Sequence, residues 1–167
     1  MNSQRKAREA LLKALYLSES RNMTADEAFG EMSAIDREIA AKAGEPEAEA
    51  MKPFALCLSD AKKEYALSLA HRIENNHEKL NALIKPVLKN WDFSRVSRID
   101  RIILWIAVAE MLYMLDIPPS VSINEAIELA KKFSTHKSPA FINGILDSIA
   151  RNTGIIDNKR EASNPLS

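Results

Sequence analysis

The chain has 167 residues, with 23 Lys and Arg against 23 Asp and Glu, and its 46% hydrophobic and 28% charged content excludes a disordered or collagen-like chain. One cysteine, Cys57, excludes an internal disulfide or a cysteine-based metal site and fits a reducing, cytoplasmic setting. The zero net charge hides an asymmetry: Arg5, Lys6, Arg8 and Lys13 face Glu9 alone over residues 4–13, whereas residues 19–50 carry nine acids and three bases.

In chain order, Ala7, Ala10, Leu11, Ala14 and Leu15 recur at helical spacing within an arc of about 140°, with Arg5, Lys6, Arg8 and Lys13 on the other side. Tyr16 falls about 20° from Arg5 on the same wheel, either packed beneath a neighbouring helix or serving a partner. The basic start leads into Glu9 and Lys13 rather than an apolar run, so no secretory signal is expected. Thr24 reads as the N-cap of a second helix with Phe29, Met32, Ile35 and Ile39 as a weaker stripe.

Gly44, Pro46 and Pro53 with Glu-Ala-Glu-Ala between two of them predict a mobile acidic connector near 43–57 with no chemistry of its own. Residues 59–75 are helical again, with Ala66, Leu69, Ala70 and Ile73 inward, and residues 77–88 form a further helix interrupted by Pro86.

Ser97 and Asp100 form a capping arrangement ahead of a strongly apolar helix, whose buried face holds Ile99, Ile102, Ile103, Ile106, Ala107 and Glu110; that carboxylate requires a donor. Pro118 and Pro119 stop this helix, and Ser122 with Glu125 reads as the capping box of the next. A last helix starts with Ser138 as N-cap and Pro139 at its first position, buries Ile142, Ile145, Leu146 and Ile149, and ends before Gly154. Residues 156–167 are expected to form a flexible tail. No stretch alternates with period two, so the class is all-α: about seven helices in two stacked three-helix subdomains, about 3–90 and 91–153, of a single domain over 1–155.

The apolar run at 102–109 is too short to span a bilayer. His71, His77 and His136 have no metal-ligand spacing, and neither phosphate-loop nor nucleophile motifs occur. No metal, cofactor or catalytic residue is expected, and binding is the better class.

Four segments together resemble the NusB family of bacterial transcription antitermination factors. They are Gln4-Arg5-Lys6-Ala7-Arg8-Glu9-Ala10 running to Ala14-Leu15-Tyr16; Ile84-Lys85-Pro86 with Trp91; Arg98-Ile99-Asp100-Arg101 through Ala107 with Glu110; and Ile117-Pro118 with Ile123-Asn124-Glu125-Ala126-Ile127 and Phe141-Ile142-Asn143-Gly144-Ile145-Leu146-Asp147. The resemblance implies a non-enzymatic scaffold that joins NusE, a small-subunit ribosomal protein, binds boxA RNA of ribosomal RNA leader transcripts, and helps RNA polymerase read through terminators. By position it implies RNA contacts at Arg5, Lys6, Arg8, Lys137 and Phe141, and a NusE side at Tyr16 and Asp100.

An unpaired base can stack on a surface aromatic, although Phe141 lies beside the core residues Ile142 and Ile145 and also reads as packing. Gly144 and Asn143 read as structural, the glycine for close packing, and Asn124 and Glu125 as a helix start. The sequence departs from the family pattern in Lys137, where relatives often carry an acid, in Ser134, where glycine is frequent, in Trp105, where arginine is common, and in its long connector. Competing readings are a protein-only helical adaptor and an accessory domain like that of certain ribosomal RNA methyltransferases. The free chain is either a monomer or a homodimer that hides its RNA face.

Overall fold

The computed structural model describes residues 4–89 and 92–155; Trp91 and the tail expected over 156–167 lie outside them. The described residues form eight α-helices and no strand, so the all-α expectation holds with one helix more than about seven. The chain divides into two compact units, Met1–Glu74 and Asn75–Ser167.

The first unit begins with α1 (Arg5–Arg21). Ala7, Ala10, Leu11, Ala14 and Leu15 are all buried, as their spacing requires. The helix ends at Asn22, whose φ of 51° is left-handed and whose N–H reaches the Ser18 carbonyl, a conformation asparagine tolerates better than most residues. Next, α2 (Ala25–Ala41) opens on a complete capping box. The Glu27 N–H donates to Thr24 Oγ1 at 3.2 Å, and the Thr24 N–H donates to the Glu27 carboxylate at 2.7 Å.

The segment near 43–57, expected as a connector, contains regular structure. Pro46–Met51 forms α3, followed by a 3-10 turn over Lys52–Phe54. Pro46 stands at the first helical position, where its missing N–H costs nothing, and Glu47 and Glu49 suit the positive helix start. Ala48, Ala55 and Leu56 are buried, and the Cys57 N–H donates to the Asp36 carboxylate at 3.0 Å. The unit closes with α4 (Asp60–Asn75), whose Ala66, Leu69, Ala70 and Ile73 are buried. Near its end Glu74 accepts the Ala25 N–H at 2.6 Å, and His71 Nε2 lies 3.0 Å from Asp26, so two side chains fasten it to the start of α2.

The second unit contains α5 (His77–Ile84), continued by a 3-10 turn at Lys85–Leu88 where Pro86 ends the α-helical bonding. Asp92 caps the short 3-10 turn that follows, and the Ser94 N–H holds its carboxyl below the ordinary aspartate value. Ser97 caps α6 (Arg98–Tyr113) by accepting the Asp100 N–H at 3.2 Å. Residues 102–111 of α6 are all buried, which makes it the central helix of its unit. It packs on α7 (Pro119–Phe133) and α8 (Ser138–Asn152), which also pack on each other.

Glu110 is 1% exposed and finds the donor it requires in Ser122, whose Oγ donates at 2.7 Å. That contact corrects the reading of Ser122 and Glu125 as a capping box. With Pro119 at its first position, α7 starts four residues earlier, and Ser122, Asn124 and Glu125 belong to its body. Trp105 is buried, yet keeps a polar bond: its indole N–H donates to Asn81 Oδ1 at 2.8 Å, while its ring lies against His77, 4.5 Å between centroids, and the Arg101 guanidinium.

Candidate nucleic-acid and partner interface

In the first unit, α1 presents its polar side to solvent, with Lys6 exposed and Arg5 and Lys13 half-buried. Arg8 is a correction. Expected beside Arg5 and Lys6, it is only 4% exposed. At 100° per residue it stands about 20° beyond Leu15, on the rim of the apolar arc, where the aliphatic stem of an arginine covers core. Tyr16, at 44%, is exposed enough to meet a partner as well as pack. The segment to which the sequence assigned no chemistry brings Lys52, Ala55, Leu56 and Cys57 to the same cleft as Lys6, Glu9 and Lys13. Only proximity in space could reveal that, because some forty residues separate the two walls.

In the second unit, the turn between α7 and α8 gathers the other expected residues. Lys137 is exposed just before α8, and the Phe141 N–H reaches its carbonyl at 3.3 Å, so the cation and the half-buried ring stand one helical turn apart. Lys131 and Lys132, exposed in the last turn of α7, add positive charge close by in sequence. Beneath the turn lies Asp100, 8% exposed. Its carboxylate accepts the Ser134 hydroxyl at 2.6 Å and the Ser138 hydroxyl at 2.9 Å; Ser138 lies 2.8 Å from Ser134 and 3.0 Å from Thr135. Asp100, expected at the NusE side, therefore fastens the start of α6 to the turn that carries Lys137, and Ser134 supplies one of the two hydroxyls.

The last helix starts at Ser138, one residue before the expected Pro139, because the Ser138 side chain serves Asp100 rather than its own helix start. Gly144 also differs from expectation: it is exposed, and a Cβ built there meets nothing within 4 Å, so close packing does not require it. Among the described residues there is no group of three or more His, Cys, Asp or Glu able to hold a metal, and no helix long and apolar enough to cross a membrane.

Two compact helical units, one led by a basic helix and one carrying a cation and an aromatic at a helix start, place the chain among small all-helical proteins. The sequence matches the NusB family over residues 5–151. It is 39% identical over 150 residues to the transcription antitermination protein NusB of Geotalea daltonii, covering 90% of this chain and 95% of that one. To the protein of the same name from Desulfosudis oleivorans it is 46% identical over 97 residues, 58% of this chain and 63% of the relative.

Among solved structures, T. maritima NusB is similar with a TM-score of 0.71 and 30% identity over 92% of this chain and 96% of that one. The NusB and NusE antitermination factors solved in complex with double-stranded RNA include a chain of the same fold, with a TM-score of 0.71 and 21% identity over 91% and 98% of the two chains. The chain belongs to the NusB family.

Proposed function

We propose that this chain is a non-enzymatic, cytoplasmic antitermination factor that binds boxA-type RNA of ribosomal RNA operon transcripts together with NusE and helps RNA polymerase read through terminators. The observation that carries the reading is family membership over nearly the whole of a relative that bears the antitermination name, at 39% identity. NusE and RNA accompany one protein of the same fold, and the family resemblance names the same pair.

In this reading Lys6 and Arg5 on α1 and Lys137 before α8 hold backbone phosphates, and Phe141 stacks an unpaired base. Arg8, buried, supports α1 from below. Tyr16 contacts NusE, and Asp100 acts on that partner or on the RNA through the turn that it fastens. Residues 1–155 work as one domain. Neutralising about three phosphates gives a slope of log affinity against log salt near −2 for single-stranded RNA.

The test is fluorescence anisotropy of labelled boxA RNA and a scrambled control, each titrated with the chain with and without NusE at fixed salt. Tighter binding to boxA, strengthened by NusE, is expected. Equal weak binding to both RNAs in both conditions would sink the reading and leave a protein-only adaptor.

A further inference from the structure

The cleft of the first unit joins Lys6, which the proposed function already uses, to two further lysines that it does not use, with an exposed aromatic close by in sequence. It encloses about 160 Å³ between α1 and the segment that follows α3. Lys6 and Lys13 line one wall, two helical turns apart and on one face of α1; Lys52 lines the other, with Leu56 and Cys57 beside it. Glu9 is the acid in the lining, against three ammonium groups. Two more acids stand nearby. Asp36 accepts the Cys57 N–H, and Glu49 pairs with Lys52 at 2.5 Å. That pair is mostly exposed, and such a pair contributes little, so an arriving anion can take the lysine.

The second wall is held in place before any ligand comes. Ala55 and Leu56 are buried, and Cys57 adopts a φ of 51°, a left-handed conformation uncommon outside glycine, under the hold of the Asp36 carboxylate. Between Lys52 and Ala55 stands Phe54, 66% exposed and the most exposed aromatic among the described residues. A lone exposed ring on a surface means little. A ring two residues from a lysine that lines a cationic cleft is the pairing by which single strands are held, the cation on the backbone and the ring on a base.

We propose that this cleft is a second RNA subsite, in which Lys6, Lys13 and Lys52 hold a backbone phosphate of single-stranded RNA and Phe54 stacks the adjoining base. It rests on the RNA-binding reading above, and it makes the long α3 segment a lengthening of the basic face of α1. An acidic peptide would use the lysines but has no need of the ring, which favours nucleic acid.

Cys57, the single thiol of the chain, reports on the cleft directly. The full-length protein is alkylated with a maleimide, alone, with boxA RNA at a saturating concentration fixed by anisotropy, and with inorganic phosphate. The subsite predicts that RNA slows labelling several-fold. Lys52→Glu is expected to weaken RNA binding several-fold and lower the salt slope by about 0.7, and Phe54→Ala to weaken it by at least about five-fold, with thermal unfolding unchanged because both side chains are exposed. RNA that binds both variants as it binds the unaltered chain, with Cys57 labelled at the free rate, would overturn the subsite while leaving the family reading intact. Protection by phosphate but not by bound RNA would also overturn it. Absence of any anisotropy change with RNA would instead remove the RNA reading itself, and the subsite with it.

Discussion

Arg8 and Lys6 are two residues apart, both basic, and opposite in fate: one is buried and the other exposed. Their charge-reversed variants should separate folding from binding. Arg8→Glu puts a carboxylate on the rim of the core and is expected to destabilise the fold by about 2 kcal/mol or more, read by urea unfolding. Lys6→Glu should leave the unfolding midpoint within error and weaken RNA binding. Equal unfolding midpoints for the two variants would contradict the burial of Arg8. A similar test applies to Ser122, which donates to the buried Glu110 carboxylate. Ser122→Ala removes that donor and is expected to cost about 1–3 kcal/mol by the same measurement; a loss of a few tenths would mean that the bond contributes nothing to stability.

At the scale of elements, the helices with one apolar stripe were readable in the sequence, because burial follows the 3.6-residue period. The stripe of α1, the Thr24 cap and the Ser97 cap all stand where the spacing puts them. Misreadings gathered at prolines. Pro46 and Pro119 begin helices, yet a proline in sequence looks like an interruption, and only the folded neighbours tell the two apart.

The candidate interface was legible in part. Lys137 and Phe141 lie one turn apart in sequence, whereas the cleft joining Lys6 to Lys52 has no local signature. Gly144 was misread for another reason: a glycine inside a helix suggests crowding, and here the space around it is open. Gly144→Ala should therefore stabilise the fold by about 0.5–1 kcal/mol, seen as a higher melting temperature. If RNA or NusE binding falls at the same time, the glycine serves the approach of a partner and not the fold.

At the scale of the whole molecule, the balance of 23 bases and 23 acids gives no general attraction to polyanions, so any affinity for RNA must come from where the charges stand. In the proposed function Lys6 of the first unit and Lys137 of the second each hold RNA phosphates. Lys6→Glu and Lys137→Glu are each expected to flatten the salt dependence of binding, and the double variant to flatten it further. A salt slope that moves with Lys6→Glu but never with Lys137→Glu would confine the RNA to the first unit.

Glu110 sets a condition on how the second unit assembles. The faces of α6 and α7 that meet are mostly greasy, and greasy helices can slide. A slip of one turn would bring Pro118 or Pro119, which have no hydroxyl to give, or Glu125 or Ala126, a second carboxylate or a methyl, to the place of Ser122. Each misaligned pairing takes the Ser122 hydroxyl away from a buried carboxylate, so this contact favours the native register over its neighbours and makes half-docked forms of the unit scarce.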